Sequence, residues 1–283
     1  MLRSWLFCPG NDERKMLKAF DLKVDAIILD LEDAIAPTKK AKARQMIKEI
    51  INKLKEPKNI FVRVNSLDNY ESFLDIYKIT IDGVKGIILP KAEDDVQVKI
   101  VDWMIDCLEK QRSLVEKTIE IVPLIETASG IQNIFNIATA TPRVRRLSFG
   151  AMDYTLNVGI EYSGSGHELF FVRNQIVIAS RVARLEKPID TVFPNIKDIE
   201  GLKRDINEAK LLGFGGKMII HPTQIELVNS GFYPTEKEIK WAKKIVEVFK
   251  EAGKKDIKVI QVEGFFVDSP IFERAKNILN SID

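Results

Sequence analysis

Short apolar, β-branched runs alternate with longer stretches of helical periodicity along most of this chain. The runs are SWLFCP, DAIILDLED, NIFVRVN, KGIILPKAE, IEIVPLIET, LSFGAMD, IDTVFPN and GKMIIHP. Between them lie segments such as KKAKARQMIKEIINKLK, DVQVKIVDWMIDCLEKQ, GIQNIFNIATA and IEGLKRDINEAKLLG, in which apolar residues recur every three or four positions. Strand, helix and strand in repetition require right-handed crossovers and a parallel sheet buried on both faces. Eight such runs predict an α/β fold, a closed (β/α)8 TIM barrel, in preference to an open doubly wound sheet. The open sheet usually carries a glycine-rich first turn, and neither GxGxxG nor GxxxxGKS occurs.

The pattern changes after HPTQIELVNSGF. YPTEKEIKWAKKIVEVFKEAGKK reads as a long amphipathic helix, with Thr235 as N-cap and Glu238 three residues on. IKVIQVEG, FFVDSP and a terminal helix, IFERAKNILNS, follow. The expected division is therefore a barrel domain over 1–232 and a C-terminal helical extension over 233–283, a packing appendage or a lid over the barrel mouth.

Bulk properties exclude several classes. A net charge of +2 gives no global field for nucleic acid, and the many Lys and Glu residues alternate on helical faces. No apolar stretch is long enough to span a bilayer, and the N-terminus lacks the long apolar region of a signal peptide. The two cysteines, Cys8 and Cys107, lie far apart without a CxxC pattern and read as free thiols of a reducing cytoplasm. With only His167 and His221, a His-rich zinc site is excluded and a Ser-His-Asp triad is not signalled.

In a barrel, the carboxyl ends of the strands gather at one mouth, where chemistry is built. Here those ends carry Asp30, Glu32 and Asp33, then Arg63 and Asn65, Lys91 and Glu93, Glu126, Asp153, Asn195, and His221. Each has a structural reading: Arg63 as an ion pair to Glu32, Lys91 as a solvated helix start. As a set they describe a polar pocket of acids facing a cation. Glu126 and Asp153, from neighbouring strands and without nearby His or Cys, suit a hard, oxygen-liganded metal such as Mg2+. A 2-keto or 2-hydroxy acid can chelate such a metal, while Arg63 pairs with its carboxylate or polarises its carbonyl. That combination suits reversible carbon–carbon cleavage through an enolate. Lys91 offers a Schiff-base route that a metal site makes less necessary.

Read in order, RSWLFCPGN, ILDLEDA, VRVN, ILPKAE, PLIETASGI, FGAMD, IHPTQI and VEGFFVDSP resemble the β subunit of citrate lyase and its relatives, the malyl-CoA and citramalyl-CoA lyases of the HpcH/HpaI aldolase superfamily. The resemblance covers nearly the whole chain. It implies a Mg2+-dependent carbon–carbon lyase on a barrel, usually a homotrimer. Glu126 and Asp153 would be the metal ligands, with Glu126 also at the substrate. Arg63 would bind and activate the substrate, and Glu32 and Asp33 would order the metal's waters and Arg63. Asp268, reaching into a neighbouring subunit, would be the acid/base, although Asp-Ser-Pro before a helix is also an ordinary cap. Arg3 would contact the pantetheine of coenzyme A or of an acyl carrier. One departure stands out: Phe265 and Phe266 occupy positions where relatives usually carry a Gln- or Lys-Met pair.

The expected reaction converts a 3-hydroxy-carboxyacyl-CoA, such as citramalyl-, malyl- or citryl-CoA, to acetyl-CoA and a 2-keto acid, or runs in reverse. Coenzyme A enters as part of the substrate. The alternatives are a β subunit of a citrate lyase complex that needs an acyl-carrier partner, and an aldolase acting on free hydroxy-keto acids. Glyoxylate, pyruvate and oxaloacetate differ by small groups, so pocket shape decides among them.

Overall fold

Eight parallel strands close into a barrel in the order β1 to β8, with β8 pairing back to β1 through Ser4↔Lys217, Trp5↔Met218 and Leu6↔Ile219. They are β1 (Ser4–Pro9), β2 (Ala26–Asp30), β3 (Ile60–Arg63), β4 (Val84–Leu89), β5 (Glu120–Ile125), β6 (Ser148–Phe149), β7 (Ile189–Asp190) and β8 (Gly216–Ile219). The computed structural model describes residues 2–54, 58–253, 260–262 and 265–282. The chain divides into two compact units, Leu2–Asn229 and Ser230–Asp283. No helix among the described residues is long and apolar enough to cross a membrane.

Side chains alternate between the two faces of a strand, so every second residue reaches the barrel axis. Trp5, Ala26, Ile28, Phe61, Ile88, Val122, Leu124, Ile189 and Met218 form one buried interior cluster. At its centre the Trp5 and Phe61 rings lie 4.5 Å apart. The intervening residues, such as Ile27, Leu29, Val62, Ile87 and Ile121, are buried on the outer face. Both faces are therefore apolar, which is why these strands read as continuous hydrophobic runs.

Helix starts are capped by short acceptors. Asp12 accepts from Lys15 N at 3.0 Å, Asp94 from Gln97 N at 2.8 Å, Thr127 from Gly130 N at 3.1 Å and Asp198 from Gly201 N at 2.8 Å. Helix Ile199–Leu212 ends at Gly213, whose φ of 113° suits a residue without a Cβ.

Three expectations are corrected in detail. LSFGAMD contributes only Ser148–Phe149 to the ladder, because the chain turns into helix Ala151–Val158 at Gly150. IDTVFPN contributes only Ile189–Asp190, and beyond it Phe193 O accepts from Gln224 Nε2 at 3.0 Å instead of from a neighbouring strand. Where that ladder is short, buried ions replace it: Arg173 forks onto Asp190 at 3.0 and 2.9 Å, and Lys217 reaches the same carboxylate at 2.6 Å. GIQNIFNIATA forms two short helices, Ala128–Gln132 and Ile134–Ala138, broken at Asn133.

The second unit has its own core. Thr235 and Glu238 cap helix Glu236–Gly253 reciprocally, with Thr235 N donating to Glu238 at 2.7 Å and Glu238 N to Thr235 at 3.2 Å. Strands β9 (Ile260–Val262) and β10 (Phe265–Val267) pair antiparallel, and helix Ser269–Asn280 follows. Ala242, Ile245, Val262, Val267 and Ala275 are buried together, and the Phe249 and Phe272 rings stack at 4.5 Å. Residues 263–264 of the tail motif lie outside the described residues.

Candidate active site

The inward parity that fills the barrel also builds the site. Two residues beyond Ile28, Phe61, Leu124 and Met218, the same face carries Asp30, Arg63, Glu126 and Ile220. With Phe7, Asp33, Gly150, Met152, Asp153 and Thr191 they line a cavity of about 460 Å3 at the carboxyl edge of the strands.

Asp30 and Arg63 are register partners on β2 and β3, so their side chains emerge side by side. The guanidinium forks onto the carboxylate, Nε to Oδ1 at 2.7 Å and Nη2 to Oδ2 at 2.8 Å. Its remaining nitrogen, Nη1, lies 3.0 Å from Glu32 and 3.2 Å from Asp33. The guanidinium carbon sits 4.9 Å from the centre of the Phe7 ring. Burial alone would lower the Arg63 pKa, but Asp30, Glu32 and Asp33 hold it above its ordinary value. Asp30 also accepts from Glu32 N at 3.0 Å and Ala34 N at 3.3 Å, which folds the strand end back over the arginine.

Glu126 is only 2% exposed. Its Oε1 accepts from Lys91 N at 2.8 Å, and among the described residues no donor reaches Oε2. Burial, together with the charges of Glu32 and Asp153, pushes its pKa up to about 8. Glu32 is raised to about 7, mainly by burial and only partly offset by Arg63. Lys91 presents its N–H from a left-handed conformation, φ 47°, which an L residue adopts at a strain of about 1 kcal/mol or more. Its ammonium lies 3.6 Å from Glu32. Burial would lower its pKa, yet Glu32, Glu126, Asp153 and Asp33 raise it. A Schiff-base lysine needs the opposite shift.

Asp153 does not end a strand, as the sequence suggested, but sits in the first turn of helix Ala151–Val158. Ala151 N donates to Thr191 Oγ1 at 2.9 Å, which ties this helix start to the chain beyond β7. Among the described residues Asp153 has no hydrogen bond or ion pair. No group of three or more His, Cys, Asp and Glu side chains among the described residues is arranged to hold a metal. The pair Glu126 and Asp153 offers hard oxygen donors alone. A carboxylate oxygen without a donor, on a residue that lines the cavity near two further acids, fits a small divalent cation whose remaining positions go to water or substrate.

A second cavity of about 540 Å3 adjoins the first. The two share Phe7, Cys8, Pro9 and Ile220 as walls, and the second adds Arg14, Lys15 and Lys18 of helix Glu13–Phe20 together with His221. Cys8 is not a nucleophile here, since burial pushes its thiol up to about 12.

Other expected residues fall elsewhere. Arg3 precedes β1 and therefore lies at the amino edge, about 13 Å of strand from Phe7, where the cavity begins on β1. Its guanidinium is committed to Asp25, with Nε to Oδ2 at 2.8 Å, so the expected pantetheine contact at this mouth is corrected. Asn195 lines a different cavity, because β7 ends five residues earlier at Asp190. Asn65 is buried under the site, donating to Leu31 O at 3.1 Å and to Asp75 at 2.6 Å. Asp268 begins helix Ser269–Asn280, where its Oδ1 accepts from Ile271 N at 3.2 Å. Phe7, Thr191 and Gly150 were missing from the expected set. The i, i+2 parity of Phe7 with Trp5 was the available signal for the first; Thr191 and Gly150 had none.

The HpcH/HpaI aldolase/citrate lyase family profile matches residues 3–222. The citrate lyase subunit beta of Haemophilus influenzae is 36% identical over 98% of this chain and 95% of its own length. The mitochondrial citramalyl-CoA lyase of Rattus norvegicus is 30% identical over 98% of this chain and 85% of its own. The CitE protein of Mycobacterium tuberculosis, solved with magnesium, acetoacetate and coenzyme A, superposes with a TM-score of 0.81 at 26% identity, covering 99% of this chain and 97% of that one. The expected enzyme class, a carbon–carbon lyase, stands with these relatives. The chain belongs to the HpcH/HpaI aldolase/citrate lyase family.

Proposed function

We propose that this chain is a Mg2+-dependent lyase that splits a 3-hydroxy-carboxyacyl thioester, such as citramalyl-, malyl- or citryl-CoA, into acetyl-CoA and a 2-keto acid, or joins them. The observation that carries this reading is that Glu126, Asp153 and Arg63 line one cavity. Glu126 and Asp153 would hold the cation, which when bound supplies a Lewis acid for the oxygen that becomes the keto group. Arg63, fixed by its fork onto Asp30, holds positive charge where that oxygen turns negative. The N–H groups of Met152 and Asp153 in the first turn of helix Ala151–Val158, whose Ala151 N is taken by Thr191, receive the substrate carboxylate. Glu32 and Asp33 keep Arg63 and the metal's waters in place. Asp268, brought by a neighbouring subunit of a homotrimer, moves the hydroxyl proton or the acetyl α-proton according to direction.

The adjoining cavity favours a coenzyme A thioester over a free acid. Its Arg14, Lys15 and Lys18 offer cations to the phosphates of the carrier, while the walls shared with the first cavity let the acyl end pass through. The relatives named as citrate lyase β subunits favour a second reading, in which an acyl-carrier partner presents the thioester. A Mg2+-dependent assay over citramalyl-, malyl- and citryl-CoA tests the proposal. Turnover that survives in Glu126→Gln or Asp153→Asn overturns the metal site. Activity confined to carrier-bound thioesters selects the second reading, and cleavage of free acids alone overturns both.

A further inference from the structure

We infer that Thr191 is a substrate-binding residue whose hydroxyl donates a hydrogen bond to the carboxylate that sits beside the keto group of the bound acid. The inference rests on the lyase reading above and deepens it, since that carboxylate is the group every 2-keto acid carries.

Thr191 follows β7 directly and is only 1% exposed, yet it lines the cavity. Among the described residues around that cavity it is the one neutral side chain with a hydroxyl or an amide. The other nitrogen or oxygen donor there, Arg63, is engaged by Asp30, Glu32 and Asp33. A hydroxyl has one proton and two lone pairs. Ala151 N, 2.9 Å away, takes one lone pair and fixes the oxygen against the start of helix Ala151–Val158. The proton has no acceptor among the described residues. A buried donor without an acceptor is costly, so its place in a cavity wall points to a guest that supplies one.

The neighbours set the chemistry of that guest. Met152 N and Asp153 N follow Ala151 in the same first turn, where amides have no carbonyl of their own helix to bind. Two N–H groups and a hydroxyl proton at one helix start form a donor set for an oxyanion. Water on a divalent cation offers protons rather than lone pairs, so it does not answer the hydroxyl. A carboxylate does, because its two oxygens have about four lone-pair sites, enough for the cation and these donors together. The cation held by Glu126 and Asp153, with Arg63 and with Lys91 3.6 Å from Glu32, offsets most of the negative charge of the surrounding acids. One carboxylate therefore enters without strong repulsion.

The competing role for Thr191 is a tether that only holds Ala151 N. Calorimetric titration of the full chain with pyruvate, glyoxylate and oxalate, with and without Mg2+, separates the two, alongside kcat and KM for citramalyl-, malyl- and citryl-CoA. Thr191→Val keeps the shape and loses the hydroxyl. It is expected to weaken Mg2+-dependent binding of the probes about 10-fold or more and to raise KM similarly, with kcat within about threefold. Half-activation by Mg2+ is expected to stay within about twofold, because the helix start that carries Asp153 is not displaced. Thr191→Ser keeps the proton and the lone pairs and is expected to restore probe affinity and KM to within about threefold. A lower Tm in Thr191→Val with unchanged probe affinity overturns the assignment. So does a Mg2+ requirement that rises in step with the loss of probe affinity, or a Thr191→Ser protein as weak as Thr191→Val. If Thr191→Val does not fold, Thr191→Cys, whose thiol is a weak donor, carries the same comparison. Wild-type turnover with intact probe affinity in the variant overturns this inference alone. A wild-type chain that neither binds the probes nor cleaves a thioester overturns the lyase reading and this inference with it.

Discussion

Gly150→Ala isolates the geometry of the candidate metal site with a single carbon atom. Gly150 has φ −111° and ψ 91°, a conformation open to alanine, so the backbone itself is not strained by the change. The obstacle is Glu126. A Cβ at position 150 would stand 2.8 Å from the Glu126 Cβ and 3.3 Å from its carboxyl carbon, and would run into its Oε2. Restoring an ordinary separation requires a shift of roughly 1 Å in the Glu126 carboxylate, in the start of helix Ala151–Val158, or in both. Gly150 N also donates to Ile125 O at 3.0 Å, which pins the backbone and leaves the side chain to move. Overpacking of this kind costs about 1–3 kcal/mol, or roughly 3–10 °C in Tm for a chain of this size. A displacement of about 1 Å at a reacting centre costs about 100-fold in rate. The expected Gly150→Ala protein is therefore folded, slightly less heat-stable, about 100-fold lower in kcat/KM, and in need of more Mg2+ for half-activation. Gly159→Ala is the control at the other end of the same helix. Gly159 has φ 73° with open space around it, so alanine there costs about 1–2 kcal/mol in backbone strain and leaves the rate within about twofold. Differential scanning fluorimetry and Mg2+ titrations of kcat/KM separate the two. Wild-type kinetics in Gly150→Ala, or equal kinetic losses in both variants, would refute the role given to Glu126.

Three further outcomes are expected. Asp30→Asn removes the charge partner of the buried Arg63 fork and should destabilise the protein by about 3 kcal/mol in denaturant unfolding, with kcat falling at the same time. Asp268→Asn keeps a good helix cap, so Tm should hold within about 2 °C while kcat falls by 100-fold or more; an unchanged kcat removes the acid/base assignment. In metal-free protein, Glu126 and Glu32 have folded pKa values of about 8 and about 7, both above the unfolded value of 4.5. The folded state then binds more protons, so stability declines as pH rises from about 4.5 to 8, and Tm measured in chelator should fall across that window. Mg2+ should flatten the slope; an identical slope with and without the ion would place the cation elsewhere.

The barrel was legible because its strands are buried on both faces. Ile27, Ile28 and Leu29 or Ile121 and Val122 leave no polar position to obscure the run. The two shortest strands were overestimated for the same reason: Phe149 and Val192 look like strand interior, and although Gly150 marks where β6 stops, no residue type marks the end of β7 at Asp190. Glu126 could be located by counting along β5, since nothing interrupts the alternation after Val122 and Leu124. Asp153 was found but placed on the wrong element, because helix start and strand end are adjacent and both favour an acid. Arg3 was misplaced because a motif says which residues travel together but not on which side of a sheet they emerge. The Asp30–Arg63 fork depends on register between two strands more than thirty residues apart, and register has no signature in a single run.

That register has a consequence for how the protein tolerates insertion and deletion. Asp30 and Arg63 meet because Ile27 pairs with Ile60 and the count stays in step to the ends of β2 and β3. Losing or gaining one residue inside either strand would exchange inner and outer faces, bringing Leu29 or Val62 to the cavity in place of an ion. The segment 66–70 beyond β3 carries no such constraint and can change length without altering the fork. The chemistry is thus quantised by the pleat: loops around the mouth are free to drift and reshape what enters, while the strand lengths that set the charge pair are fixed to the residue.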